Sequence, residues 1–254
     1  MKKKYSVLCG AAVFVVGLVL AIATHSAAIP KDAGAGIKAA FAMGMILTLG
    51  GLIGMIVSLL PERKSADVRS LAMASIFAAL CYVGCTYLKI PIPGSTSFFH
   101  FGNTFCVLGA LFLGGFWGGL AGSVGMTISD MFNGYIDSAP RTFLLKLCIG
   151  VITGLVAHKV FHISQDKKNR RGSLPVAVVT SCAAGLAFNV VADPLLGYFY
   201  KMYIMGISQD LAASLAKIAT LATAVNAVVA VIAATIFYLA LRPALEHARL
   251  LPHV

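Results

Sequence analysis

Long apolar runs broken by short polar connections set the pattern of this chain. Hydrophobic segments cover about 5–24, 37–60, 68–90, 101–115, 116–133, 140–162, 174–200 and 213–241. A helix needs roughly 20 apolar residues to cross a bilayer core, and these runs lack the alternation of an outer-membrane barrel strand. The pattern therefore predicts an all-α, polytopic membrane helix bundle of eight helices. It divides into a two-helix N-terminal extension over 1–65, a six-helix core over 66–245 and a short tail over 246–254.

Composition agrees with that class. Hydrophobic residues make up 59% of the 254 positions and charged ones 11%, with a mean hydropathy of +0.90, far from a soluble domain. A net charge of +11 would suit nucleic acid, but the basic residues cluster between apolar runs. Lys2, Lys3 and Lys4 precede the first run, Arg63, Lys64 and Arg69 follow the second, Lys159, Lys167, Lys168, Arg170 and Arg171 follow the sixth, and Arg242 and Arg249 follow the eighth. The positive-inside rule then places these loops and both termini in the cytoplasm, and no nucleic-acid partner is expected. Lys2–Lys4, the first apolar run and Ser26-Ala27-Ala28 also have the three parts of a secretory signal, but the run is long for one and reads as a retained helix. Cys9, Cys81, Cys85, Cys106, Cys148 and Cys182 lie inside apolar segments without CxxC or metal-ligand spacing, so they read as small hydrophobes, and no metal site is expected.

This orientation puts the connections at about 25–36, 91–100, 134–139 and 201–212 on the outer side, and nearly all buried polar residues fall near that face. They are His100, Asn103, Asp130, Asn133, Arg141, Lys146, Asn189, Asp193 and Lys217, with Asn226 deeper. Polar groups on one side only describe a solute-binding cup, whereas a self-sufficient carrier needs a path across. Pro91, Pro93 and Gly94 break the helix, so the 91–100 segment reads as a lid carrying Phe98 and Phe99, with an interfacial loop as the plainer alternative. Asp130 and Lys146 each need a partner, since an intramembrane charge costs upward of about 2.5 kcal/mol; they pair with each other or reach a ligand. Asn189 and Asp193 share one helix face, and Pro194 follows where the helix can loosen. Tyr198, Tyr200 and Tyr203 form an aromatic belt or a ligand box, and Asn226, about three turns into its helix, requires hydrogen-bond partners. The substrate-binding candidates are therefore Phe98, Phe99, His100, Asn103, Asp130, Asn133, Lys146, Asn189, Asp193, Tyr198 and Asn226. There is no GxxxxGK[ST], HExxH or GxSxG motif, so the chain does not read as an enzyme, no cofactor of its own is expected, and any ATP is used by other subunits.

Small residues mark close helix contacts: Ala74 and Ala78 lie one turn apart in the third run, and Gly114 to Gly125 form a glycine-rich stretch across a tight turn. Packing within the bundle accounts for both, while the cytoplasmic placement of Ala74 and Ala78 also allows a partner to dock.

The stretch from Arg69 to Lys159 carries Ala74-x-x-x-Ala78, Ile90-Pro91-Ile92-Pro93-Gly94, His100-Phe101-Gly102-Asn103, the glycine-rich turn, Ser129-Asp130, Gly134-Tyr135 and Lys146. In this combination it resembles the substrate-binding S-component of an energy-coupling factor (ECF) vitamin transporter, of the riboflavin-type subgroup that also includes pyridoxine and hydroxymethylpyrimidine binders. The resemblance covers about the first half of the six-helix core. It implies a vitamin pocket near the outer surface under the 91–100 loop, and a transmembrane coupling subunit docking at Ala74 and Ala78. It also implies two cytoplasmic ATPase subunits and delivery by toppling in a bacterial plasma membrane. The two extra N-terminal spans depart from the family pattern; they leave open whether residues 1–65 brace the bundle, contact the coupling subunit or limit toppling. An autonomous ion-coupled secondary transporter is the main alternative, but neither mid-membrane ion-binding residues nor an internal repeat stands out. A membrane enzyme ranks behind both. The mixture of aromatics, amides, an acid and a lysine favours pyridoxine or a related pyrimidine as ligand, with riboflavin next.

Overall fold

The computed structural model describes residues 68–94, 97–165 and 172–248, together with isolated helical positions between 12 and 47. The chain separates into two compact units, Met1–Arg63 and Lys64–Val254. The two expected N-terminal helices and most of the 246–254 tail lie outside the described residues.

Within the second unit six helices follow one another: α1 (Val68–Thr86), α2 (Gly102–Leu113), α3 (Gly115–Phe132), α4 (Ala139–Leu155), α5 (Leu174–Tyr203) and α6 (Gln209–His247). Strands β1 (Lys89–Pro91) and β2 (Phe98–His100) stand between α1 and α2. The six-helix bundle expected from the apolar runs is present, and among the described residues four helical stretches are long and apolar enough to cross a membrane. Boundaries moved for physical reasons. The third run ends as a helix at Thr86 rather than residue 90, because Pro91 and Pro93 have no amide hydrogen and the chain turns at Gly94, which has φ +74°. The segment expected to be a loop pairs as an antiparallel hairpin, Lys89 opposite His100, Ile90 opposite Phe99 and Pro91 opposite Phe98. The sixth run stops its α-helix at Leu155 and ends in a π turn over Val156–Val160. Pro194 does not end α5, which continues to Tyr203.

Glycine governs how these helices meet. Gly114, with φ +81°, folds α2 back against α3 in a single residue. A Cβ on Gly118 would run into the backbone of Gly109 and Ala110, and one on Gly122 into Cys106. Another α3 face meets α4: Gly119 opposes Gly150, and Gly115 opposes Gly154. A third contact sets Gly125 against the Ala78 carbonyl of α1. Without a hydrophobic driving force between helices in lipid, such backbone approach supplies the packing energy. Gly118→Ala is accordingly expected to lower stability in detergent by about 1–3 kcal/mol through overpacking. Thermal unfolding checks it, and an unchanged midpoint would show that the seam adapts.

Ala74, 7% exposed, and Phe77, Cys81 and Gly84 form the buried stripe of α1, so the Ala74–Ala78 step faces the bundle. Packing within the bundle therefore accounts for this step: α3 turns its glycine face towards α1, and small residues lie where two backbones must approach. Ala72, Ser75 and Ala79 are the small residues that α1 exposes.

Candidate functional site

A cavity of about 140 Å³ opens at the hairpin end of the bundle, where α1, α3 and α5 finish and α2, α4 and α6 begin. The alternating direction of the helices brings together residues far apart in sequence. Phe98, His100, Asn103, Asp130, Asn133, Lys146, Asn189, Asp193 and Asn226 all line it. Phe99 and Tyr198 do not; Phe99 lies opposite Ile90 in the hairpin, and Tyr198 stacks edge-on against Phe199 with ring centres 5.2 Å apart. Strand alternation turns Phe99 away from the faces used by Phe98 and His100.

Some of these polar groups are spent on the protein itself. Asn226 of α6 accepts the His100 amide hydrogen through Oδ1 at 3.0 Å and donates through Nδ2 to the Phe98 carbonyl at 2.8 Å. Its amide thus mimics a strand backbone along the free edge of β2 and ties the hairpin to α6. On the other side Lys89 of β1 donates to Asn133 Oδ1 and lies 5.1 Å from the Phe98 ring centre. Asn133 in turn donates to the Ser129 carbonyl at 2.7 Å, and the hydroxyls of Ser129 and Thr86 share a hydrogen bond of 2.9 Å. Phe98 meets Tyr135 edge-on at 5.4 Å, so the hairpin is clamped from both flanks. His100 Nδ1 accepts the Gly102 amide hydrogen at 3.2 Å, which leaves Nε2 to carry the proton.

The two carboxylates are also occupied. Arg141 of α4 forms an ion pair with Asp193 Oδ1 at 2.9 Å and donates to the Asp193 carbonyl at 3.0 Å. Gly197 makes the room: a Cβ there would stand 2.6 Å from Arg141 Nη1 and 3.7 Å from Lys201 Nζ. Thr223 adds a hydrogen bond to Asp193 Oδ2 at 3.3 Å. Asp130 accepts from the Thr142 hydroxyl instead of pairing with Lys146. Pairing between Asp130 and Lys146 is thus not found, because Thr142 stands one turn nearer the open end of α4.

What remains uncommitted lies at the centre. Lys146 is 7% exposed, Asn103 and Asn189 are 1% exposed, and all three line the cavity. Among the described residues Lys146 has neither an ion pair nor a hydrogen bond, and the Asn103 and Asn189 Oδ1 atoms have no partner. A buried polar group left in this condition costs about 1–3 kcal/mol, more if charged, so a ligand that meets these atoms gains that amount in addition to its own contacts. Beneath them the bundle is filled: Cys106 and Ile149 are fully buried and Leu186 nearly so.

Several cavity residues, Cys85, Ser129, Ser138, Thr142, Lys201 and Thr223 among them, were not sequence candidates. Hydroxyl residues within apolar helices carry little signal, since they can bond their own backbone one turn earlier, as Ser123 does to Gly119. Lys217, expected near this face, does not line the cavity.

The model of a family described as "ECF-type riboflavin transporter, S component" matches residues 65–243. A protein of Pyrococcus woesei, described as "Uncharacterized protein in gap 3'region", is 39% identical over 67 residues, covering 26% of this chain and 45% of that protein. The chain therefore spans about half the length of that curated relative. No solved structure matches the chain. Because the family match takes in well over half of the chain, including every helix that lines the cavity, the chain belongs to the ECF-type riboflavin transporter S-component family.

Proposed function

We propose that this chain is the membrane-embedded substrate-binding subunit of an ECF-type importer, capturing a small water-soluble vitamin or precursor in the hairpin-covered cavity. The observation that carries this reading is the set of polar groups converging on one cavity: the buried, unpartnered Oδ1 atoms of Asn103 and Asn189, and Lys146, 7% exposed and without an ion pair or hydrogen bond among the described residues. Family membership supports the subunit role, and the one-ended cavity with a filled core beneath it supports capture over autonomous passage. The positive-inside pattern supports an outward-facing cavity and cytoplasmic termini, and the family reading goes with a bacterial plasma membrane location. Family membership supports a transmembrane coupling subunit and two cytoplasmic ATPases as the source of energy.

Size bears on the ligand. A cavity of about 140 Å³ holds on the order of ten water-sized occupants, which suits a single substituted heteroaromatic ring such as pyridoxine or a hydroxymethylpyrimidine. Riboflavin, with three fused rings and a ribityl chain, would fill more than this space and extend through its open side or displace the hairpin.

Binding by the full chain in detergent tests the reading. Asn103→Ala and Asn189→Ala are each expected to weaken the affinity for the captured vitamin by about 1–3 kcal/mol, the range for a lost buried hydrogen bond. Isothermal titration reads this effect. Unchanged affinity in both variants, or ligand density at the opposite end of the bundle, would sink the proposal.

A further inference from the structure

The charge inventory of the cavity goes one step further. Four cations line it, Lys89, Arg141, Lys146 and Lys201, against two carboxylates, Asp130 and Asp193. Arg141 and Asp193 neutralise one another, Asp130 is held by Thr142, and Lys89 is engaged by Asn133 and the Phe98 ring. Lys146 and Lys201 are left without an ion pair or hydrogen bond among the described residues, and Lys146 is more than nine-tenths buried. Lys201 Nζ and Arg141 Nη1 also approach one another over Gly197. The cations thus outnumber the anions where a charge is most costly to leave bare.

Resting on the capture reading above, we infer that the captured molecule is an anion: a small heteroaromatic acid whose carboxylate lies against Lys146, with Lys201 and Arg141 adding to the attraction. Asn103 and Asn189 then meet ring or hydroxyl hydrogens through their free Oδ1 atoms, which accept and do not donate. A cationic ligand would face a site already two charges in excess, and a neutral one would leave Lys146 unpaired; within the single-ring size class this favours an acid over pyridoxine or a hydroxymethylpyrimidine, neither of which carries a carboxylate. Lys146 is therefore a specificity-determining residue.

Three probes with one ring and substituents of different charge test this: pyridine-3-carboxylate, pyridine-3-carboxamide and 3-(aminomethyl)pyridine, measured by equilibrium dialysis against the full chain in detergent. The carboxylate should bind at least tenfold more tightly than the carboxamide, and the aminomethyl compound should bind most weakly. Lys146→Met should bring the first ratio close to one, chiefly by weakening the carboxylate, while raising the unfolding temperature of the ligand-free protein. Lys146→Arg should keep the preference, and Lys201→Met should reduce it severalfold. A carboxamide that binds as tightly as the carboxylate, or a preference that survives Lys146→Met, overturns the charge assignment and leaves the capture reading intact. If none of the three binds, the molecule carried through purification decides by its charge in mass spectrometry: an acid supports the inference, and a neutral or cationic molecule overturns it. A protein that binds no probe and carries no molecule fails the capture reading as well.

Discussion

Asn226→Ala is expected to weaken ligand binding by about 2–4 kcal/mol, or roughly 30- to 1,000-fold, while leaving the bundle folded. Two hydrogen bonds are lost, to the Phe98 carbonyl and the His100 amide, and each costs about 1–2 kcal/mol, the lower part of the range for an unsatisfied buried group, because both are only part-buried. The whole of that loss falls on the hairpin. With the α6 side released, β1 and β2 would still pair and Lys89 would still hold Asn133, so the hairpin would swing about its α1 flank instead of melting. The dissociation rate should therefore rise far more than the association rate falls. Asn226→Asp discriminates further, because a carboxylate still accepts from His100 but cannot donate to Phe98. Stopped-flow displacement of a bound fluorescent ligand reads both rates. Equal dissociation rates for wild type and Asn226→Ala would show that the latch does not hold the ligand in.

That role also marks where reading the sequence runs out. Asn226 stands out in the sequence, since an amide deep in an apolar helix must find partners. The sequence offers no signal that those partners are the backbone of a strand more than 120 positions earlier. Strands of three residues, with Pro91 inside one of them, are too short for alternation to be visible. The helices, by contrast, are legible because each must bury all of its backbone polar groups within itself, and that requirement writes itself as a long apolar run. Asn189 and Asp193 behave similarly: their spacing places them on one face, yet one is free for ligand and the other is consumed by Arg141, a distinction set by α4 and not by α5. Spacing locates a polar face, while pairing across helices decides which of its members remain available.

The alanine step in α1 is where bundle packing and partner docking make opposite forecasts. Ala74 is buried within the bundle, one turn from Ala78, whose carbonyl meets Gly125 of α3, so a bulky side chain at 74 has nowhere to go. Ala74→Trp is expected to cost at least about 1–3 kcal/mol by overpacking, and more if the seam opens along the glycine contacts that set the α1–α3 spacing. Because α1 also carries Cys85 and leads directly into the hairpin, ligand binding by the isolated chain should fall together with uptake by the assembled transporter. Ala79→Trp is the matched control. It lies one position past Ala78 on the exposed face, where an added indole meets lipid or a partner and not α3. Binding should survive in that variant whatever happens to uptake. If Ala74→Trp keeps full binding and loses only ATP-dependent uptake in reconstituted vesicles, the seam must open in the assembled transporter, and Ala74 must contact the coupling subunit after all.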